Sequence, residues 1–424
     1  MKILLVQSYL GPSEPPVFPL GLASLKTALA GHEVLVFDMN RDDDPFANLA
    51  KTIREFGPEL VGVSLRNIDS TNKREVVFYY ENLKPTVDVI RETTNMPLVI
   101  GGSGFSMFAR EIMEDEPRLD FGIHLEGENT FPALIENLDT PENVPAVFIR
   151  DGNTVKYTGA GTPVNTAPLK GADHSVAPLG NYTTFRDAVG VETKRGCALN
   201  CIYCIYGFLN GRDYRLRDPV KVVDEIERLA QNCEVRRFTF VDSVFNIPID
   251  HAETICRELA TRNLDIKWSA WFSEKTLTPD FANLAKSAGC DTFIFSPDAY
   301  TDSVLEKLGK NVTNADIRRG FDIIAAIPGV EVAYNFFKNP PGQTLANFLG
   351  VIWFCIKAKL RLQKRVHFEF SSLRVEPHTR LREIALQEGV VDEDDPLLKP
   401  KYYVNRRTRW IDALFNAVLR LKGK

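Results

Sequence analysis

Residues 195–207 read RGCALNCIYCIYG, and the fold is read outward from this stretch. Cys197, Cys201 and Cys204 are spaced C-x3-C-x2-C, directly after a strand-like segment, Val189–Lys194. Three thiolates can hold three irons of a 4Fe–4S cube, which leaves the fourth iron open to a small molecule. No fourth cysteine lies close by, so a closed four-cysteine site is disfavoured. Zinc would ask for four ligands, and no histidine is near enough in sequence to complete them. A chance group of buried cysteines is the plain alternative. The remaining four cysteines are scattered at 233, 256, 290 and 355, and residues 1–196 contain none. A disulfide framework would be spread more evenly and would suit a smaller secreted chain.

Downstream of the cysteines, strand-like and helix-like patterns alternate. Candidate strands are Val189–Lys194, Arg237–Val241, Ile266–Trp271, Asp291–Phe295, Glu331–Phe337 and Val366–Leu373. Helical spacing separates them at Val220–Gln231, His251–Arg262, Pro279–Ala288 and Ala315–Ala326. Six such units are too few for a closed eight-stranded barrel, so a partial, open (β/α)6 barrel is expected over 188–375. A short C-terminal extension, 376–424, carries a basic amphipathic helix at Trp410–Lys424, read as a solvated face packing on the barrel.

Upstream, residues 1–150 show the same rhythm. Lys2–Gln7, Glu33–Asp38, Leu60–Leu65, Pro97–Ile100 and Phe121–His124 read as strands, with helices at Leu22–Ala30, Phe46–Phe56, Tyr80–Thr94 and Thr130–Leu138. A βαβα series predicts a Rossmann-like, doubly wound parallel sheet with its ligand site beyond the carboxyl ends of the strands. Val147–Tyr157 reads as a hairpin turning at Asp151-Gly152-Asn153. The Gly-, Pro- and Thr-rich stretch that follows, within 151–187, reads as a linker over the domain boundary.

A chain of 424 residues exceeds one ordinary core, in keeping with two domains. Net charge is −5 and no long basic stripe occurs, which argues against a nucleic-acid partner. No apolar run is long enough to span a bilayer, and MKILLVQSYLG is broken too early for a signal peptide, so no membrane partner and a cytoplasmic setting are expected.

C-x3-C-x-aromatic-C after the first strand of a partial barrel resembles the motif of radical S-adenosylmethionine (SAM) enzymes. The resemblance implies that Cys197, Cys201 and Cys204 ligate the cluster and that SAM binds the open iron. Reduction then cleaves SAM to a 5′-deoxyadenosyl radical. Tyr203 holds the aromatic position, implied to lie near the SAM adenine; a plain core tyrosine is the alternative. Phe240–Asn246 (FVDSVFN) is similar to the end of the family's second strand, with Asp242 implied to face SAM. Asp291–Lys310 (DTFIFSPDAYTDSVLEKLGK) is similar to a fourth-strand stretch that usually carries Glu-Ser-Gly. Ser296 and Asp298 are the SAM-site candidates there, although Asp298-Ala299-Tyr300 replaces the usual triplet. Asp298 either meets the SAM amino group or caps the helix that follows. Tyr334–Thr344 (YNFFKNPPGQT) resembles a Gly-Pro-Gly-Glu-Thr turn, with Gln343 for the Glu.

A Rossmann-like domain ahead of such a barrel resembles the cobalamin-binding class of these enzymes. Pro19–Ala23, Gly62-Val63-Ser64, Gly101-Gly102-Ser103 and Glu126–Phe131 (EGENTF) carry the resemblance. It implies that Ser64 and Leu65 lie under the corrin ring. It also implies that Gly101, Gly102 and Ser103 cradle the nucleotide tail, and that Glu126 and Gly127 belong to the same site. Closure of tight βα turns is the alternative for the glycines. The Asp-x-His-x-x-Gly motif whose histidine ligates cobalt is absent; His32, His124 and His174 stand in other contexts. The first turn lacks G-x-G-x-x-G, which argues against a dinucleotide.

The resemblance implies a cobalamin-dependent methyltransferase that transfers methyl from methylcobalamin to a substrate carbon radical. Non-methylating oxidation, cyclisation or rearrangement is the alternative, and a non-catalytic cobalamin or SAM sensor is a third. A methylthiotransferase is disfavoured because residues 1–196 offer no cysteine for a second cluster. The expected partners are a small-molecule substrate and flavodoxin or ferredoxin as electron donor. Glu376 and His378, within Arg374–Arg380 (RVEPHTR), border the expected substrate pocket as acid, base or anchor, or else are surface loop residues.

Overall fold

The computed structural model describes residues 1–12, 14–73, 75–166, 171–182, 188–233 and 235–421. The chain divides into two compact units: residues 1–70, 74–190 and 232–235 form the first, and 71–73, 191–231 and 236–424 the second.

The first unit is built on a seven-stranded sheet. Its strands are β1 (Lys2–Gln7), β2 (Glu33–Asp38), β3 (Leu60–Ser64), β4 (Leu98–Gly101), β5 (Phe121–Ile123), β6 (Val147–Asp151) and β7 (Thr154–Tyr157), in the order 2-1-3-4-5-6-7. The first five are parallel; β6 and β7 close the far edge as an antiparallel hairpin. β1 lies inside the sheet between β2 and β3, and Ile3–Val6 are at most 1% exposed, which is why KILLVQ shows no alternation. The order of strand addition reverses at β1, with β2 on one side and β3 on the other, so the switch point lies at the carboxyl ends of β1 and β3. There the Ser8 amide donates to the Ser64 carbonyl at 3.1 Å.

Helix boundaries follow local chemistry. The helix Pro45–Phe56 starts where the Asp44 carboxylate accepts from the Ala47 amide at 3.2 Å and stops at Gly57, φ +62°. The described part of the expected linker is tied down within the first unit. His174 stacks on Phe18 with centroids 4.9 Å apart, and the Tyr182 hydroxyl donates to Asp38 at 2.7 Å. Residues 167–170 and 183–187 of that stretch lie outside the described residues.

The second unit carries β8 (Gly190–Val191), β9 (Lys194–Arg195), β10 (Arg215–Leu216), β11 (Arg237–Phe240), β12 (Lys267–Phe272), β13 (Cys290–Asp298), β14 (Glu331–Phe337) and β15 (Val366–Ser371). β8 and β11 to β15 form one open sheet in sequence order, and β11 to β15 pair in parallel. This is the six-stranded partial barrel. Its aromatic core includes Phe240, Phe245, Trp268, Phe272 and Phe293.

Three strands differ from the sequence reading. Val189–Lys194 is two strands, not one: the Asp242 carboxylate accepts from the Thr193 and Lys194 amides at 2.8 and 3.3 Å, which diverts the backbone to pair β9 with β10. Val366–Leu373 likewise breaks, and β16 (Leu373–Arg374) leaves to pair with β17 (Tyr402–Tyr403). β13 runs three residues further than its apolar run, through an irregularity between Phe295 and Asp298. At its end Asp298 has φ +67°, and the irregularity re-aims that side chain.

The last helix, Arg409–Leu421, packs as expected: Ile411 and Phe415 are buried against Phe348, Ile352 and Phe370. Among the described residues no helix is long and apolar enough to cross a membrane.

Candidate active site: a cysteine-lined cavity at the strand ends

A cavity of roughly 300 Å³ opens at the carboxyl ends of the barrel strands. Cys197, Cys201 and Cys204 reach it from the loop after β9. Ser296 and Asp298 come from the end of β13, Asn335–Phe337 from β14, and Ser371 from β15. This is the end of a parallel barrel where side chains from different strands converge.

The cysteine loop is held by backbone contacts. The Cys197 amide donates to the Gly211 carbonyl at 3.0 Å, and the Ile202 amide to Leu308 at 3.0 Å. Gly196 has φ +91°, and a Cβ there would run into the Asp213 carbonyl, so the motif needs a glycine before its first cysteine. Burial pushes the Cys201 thiol up, and that of Cys204 up to about 12. A metal bound here would have to displace these protons.

Among the described residues no three histidine, cysteine or acidic side chains converge on a single-ion position. The three thiols instead share the wall of one cavity. That arrangement fits a cluster, whose irons sit at separate corners, better than one zinc ion.

Opposite the thiols stands a buried polar knot. Lys310 Nζ donates to the Asp298 carboxylate at 2.7 Å and to the Ser296 carbonyl at 2.6 Å, and lies 3.3 Å from the Tyr203 hydroxyl. The Tyr203 hydroxyl itself bonds to Asp298. Burial pushes the Asp298 carboxyl up, against the pull of Lys310 and Tyr203. Burial opposes the Lys310 charge, but Asp298 and Cys201 hold it above the ordinary lysine range. Asn335 Nδ2 donates to Ser296 Oγ at 3.2 Å. Tyr203 meets Phe337 edge-on, with centroids 4.8 Å apart.

The six barrel residues Cys197, Cys201, Cys204, Tyr203, Ser296 and Asp298 therefore come together at one cavity. Asp298 does not cap the following helix; Thr301 occupies that cap. Asp242 departs from its expected place. It is fully buried, forms an ion pair with Lys194 at 2.8 Å and accepts from Thr193, so its oxygens are committed within the protein rather than turned to SAM. Its neighbours Ser243 and Val244 line the cavity instead. Glu376 and His378 do not line it: Glu376 accepts from Arg374, and His378 stacks on Phe208 with centroids 4.0 Å apart.

Sequence reasoning missed Lys310, Asn335 and Glu274. Lys310 and Asn335 lie inside quoted stretches, yet nothing in their spacing marks them. Glu274 follows β12 on the cavity wall, with Oε1 buried and without a hydrogen-bond partner among the described residues. Burial pushes its carboxyl up to about 7.

At the switch edge of the first unit, Gly101 and Gly102 remain half-exposed and Ser103 exposed. Gly102 has φ +101°, and a Cβ there would stand 2.6 Å from the Leu65 carbonyl oxygen. The Ser103 hydroxyl donates to the Arg66 carbonyl at 2.7 Å. Bare backbone and a hydroxyl at a strand end fit a large amide-bearing ligand.

Leu65 does not fit its expected role. It is 0% exposed and so cannot lie under a ring; its carbonyl accepts from the Gly104 amide at 2.9 Å. Glu126 accepts from the Val164 amide at 2.7 Å. Gly127 serves helix packing, since a Cβ there would stand 2.9 Å from Leu25 Cδ2. His124 is spoken for by Tyr157, whose hydroxyl lies 3.2 Å from Nδ1.

Comparison with known proteins agrees with both units. Residues 7–135 match the B12 binding domain, and residues 191–348 match the radical SAM superfamily. An uncharacterized methyltransferase of Pyrococcus horikoshii is 24% identical over 435 residues, covering 96% of this chain and 90% of that protein. An anaerobic magnesium-protoporphyrin IX monomethyl ester cyclase of Cereibacter sphaeroides is 27% identical over 233 residues, covering 52% of this chain and 36% of that protein. Among solved structures, the radical SAM methyltransferase TsrM of Kitasatospora setae, with tryptophan and a SAM analogue bound, matches at TM-score 0.79 and 25% identity. That match covers 92% of this chain and 77% of TsrM. The chain is a radical SAM protein with an N-terminal B12-binding domain. It belongs to the cobalamin-binding radical SAM enzymes, whose cofactors are a 4Fe–4S cluster, SAM and cobalamin.

Proposed function

We propose that the chain is a cobalamin-dependent radical SAM methyltransferase acting on a carbon of a small molecule. The observation that carries this reading is the three-thiol cavity of the barrel in the same chain as a B12-binding unit. The methyltransferase relatives support it. When bound, the cluster and corrin supply one-electron chemistry and carriage of a methyl group.

The chain's own residues do the rest. Cys197, Cys201 and Cys204 hold three corners of the cluster. Lys310 and Tyr203 fix the Asp298 carboxylate on the wall, where it can accept an N–H from an ammonium group such as that of SAM. Asn335 orients the Ser296 hydroxyl. Trp271, Phe336 and Phe337 line the same space with apolar surface, which keeps water from a reactive carbon centre. Ser64, Gly101, Gly102 and Ser103 offer backbone and hydroxyl groups to the corrin. A low-potential donor of flavodoxin or ferredoxin type and a cytoplasmic setting complete the proposal.

The test is anaerobic reconstitution followed by a visible spectrum and then turnover with SAM and a panel of small substrates that includes tryptophan. Retention of corrin and a product heavier by about 14 mass units are expected. Failure of the reconstituted chain to bind any corrin would overturn the reading. The likeness to a cyclase favours a second one, a radical oxidation or cyclisation without methyl transfer. Corrin retained, SAM cleaved and product mass not raised by a methyl group would select it.

A further inference from the structure

The 18-residue helix Leu345–Leu362 is apolar on two sides. Phe348, Val351, Phe354, Ala358 and Leu362 are buried in the second unit. Leu345, Leu349, Trp353, Ile356 and Leu360 are 51%, 54%, 53%, 55% and 77% exposed. Their steps of four, four, three and four residues put them in one line along the outer face, a ridge of about 22 Å. A helix with a second apolar face has that face in a core or against an apolar medium. Scattered surface leucines need no explanation, but a continuous ridge that includes an indole does.

The charges on the ridge's own helix are of one sign. The helix has no acidic residue; its charged residues are Lys357, Lys359 and Arg361, with Lys364 and Arg365 just beyond. Arg361 pairs with Asp322, and Lys357 lies over the Trp353 ring at 5.5 Å. Cations suit a helix C-terminus, which accounts for their position but not for the aliphatic ridge beside them. The helix Arg409–Leu421, packed alongside through Ile411 and Phe415, leaves Trp410 and Leu414 51% and 40% exposed. Arg406, Arg407 and Arg409 are exposed at its start.

We propose that this ridge and its basic flank dock the protein on an anionic lipid bilayer, lying in the boundary between headgroups and acyl chains without crossing it. Aliphatic side chains beside indoles, bordered by lysine and arginine, match the chemistry of that boundary. A second copy fits poorly. An antiparallel pairing through a two-fold axis would oppose the basic end to Leu345–Leu349, a segment that itself carries no acid. A ridge about 22 Å long and 10 Å wide also offers far less than the roughly 800 Å² per partner of a stable dimer. An acidic electron carrier would answer the charge but leaves the protruding aliphatic line without a use.

The reconstituted full chain is floated with vesicles of phosphatidylcholine alone, or with about 30% phosphatidylglycerol added. About tenfold more protein is expected on the anionic vesicles, falling toward the neutral level near 0.5 M salt. Leu349→Ser/Leu360→Ser should remove most of the binding, and Lys359→Glu/Lys364→Glu the preference for anionic lipid. Iron content and far-UV circular dichroism should be unchanged, which separates lost docking from lost folding. No flotation, or equal flotation on both vesicles, overturns the proposal. So does a stable dimer that Leu360→Ser splits, or tight flavodoxin binding that Leu360→Ser abolishes while vesicles stay bare.

Discussion

Lys310 and Asp298 form an ion pair at 2.7 Å on the wall of the cavity that the three cluster cysteines share, and both side chains are nearly closed off from solvent. A buried pair holds its position, but it punishes the loss of one partner more than the loss of both, because the survivor stays buried and unmatched.

Lys310→Met should therefore destabilise the chain by about 3–5 kcal/mol, since it leaves the Asp298 carboxylate with Tyr203 alone. Asp298→Asn/Lys310→Met should be more stable than Lys310→Met, with a coupling of about 1–3 kcal/mol. Urea midpoints of the two single variants and the double variant give the cycle. All three should cleave SAM poorly, because the double variant restores stability but not the carboxylate. A double variant no more stable than Lys310→Met would show that the two side chains are not energetically coupled.

Iron content separates the cavity thiols from the rest. Wild-type protein reconstituted without oxygen should hold about four irons per chain. Cys197→Ala, Cys201→Ala and Cys204→Ala should each lose most of that iron and the SAM cleavage that depends on it. Cys256→Ala and Cys290→Ala remove buried thiols of the barrel core and should cost stability, about 1 kcal/mol each, while leaving iron unchanged. Equal iron loss in both groups would mean that the motif is not the cluster site.

How much of this is legible in the sequence depends on what each residue answers to. Lys2–Gln7 and Glu33–Asp38 are legible to the residue because apolar runs this short between turn formers read as strands, although only Lys2–Gln7 is buried and Glu33–Asp38 is a partly exposed edge. The cysteine loop is legible because its chemistry needs one spacing. Asp242 is not, since a carboxylate at a strand end looks the same whether it faces a ligand or holds Thr193 and Lys194. Lys310 is hidden for the converse reason: it lies twelve residues from Asp298, and only the β13 irregularity brings the two together. The helix Leu345–Leu362 also escapes a reading by amphipathic period, because both of its faces are apolar.

Two glycines in the first unit should respond in opposite ways. Gly102→Ala places a methyl group 2.6 Å from the Leu65 carbonyl oxygen at φ +101°, so about 2 kcal/mol or more should be lost, together with corrin affinity. Gly21 lies in the helix Leu20–Ala28 with nothing near its missing Cβ, and Gly21→Ala should stabilise by about 0.5–1 kcal/mol. Thermal melting and a cobalamin titration read both. A Gly102→Ala variant with wild-type melting and corrin affinity would mean that the β3 and β4 ends yield more easily than their contact suggests.

Glu274 gives the chain a pH dependence whose sign can be worked out. Burial raises its carboxyl to about 7 in the folded protein, with Lys310 pulling it down and Asp298 and Asp316 pushing it up. Unfolded, it titrates near the ordinary glutamate value, about 4.3. Between these values the folded chain binds the proton and the unfolded chain has released it, so stability falls as pH rises through this window. Below it the full contribution is present; above pH 7 it is gone, a swing on the order of 3 kcal/mol. Glu274→Gln carries no such proton. The variant should gain on wild type from pH 5 to about pH 7 in urea midpoints, with the difference levelling off between pH 7 and pH 8. The gain follows from burial and the chain's own charges, so it should appear in protein without its cofactors. A wild-type minus variant difference flat across that range would mean that water or another group solvates Oε1 and that the carboxylate is ionised throughout.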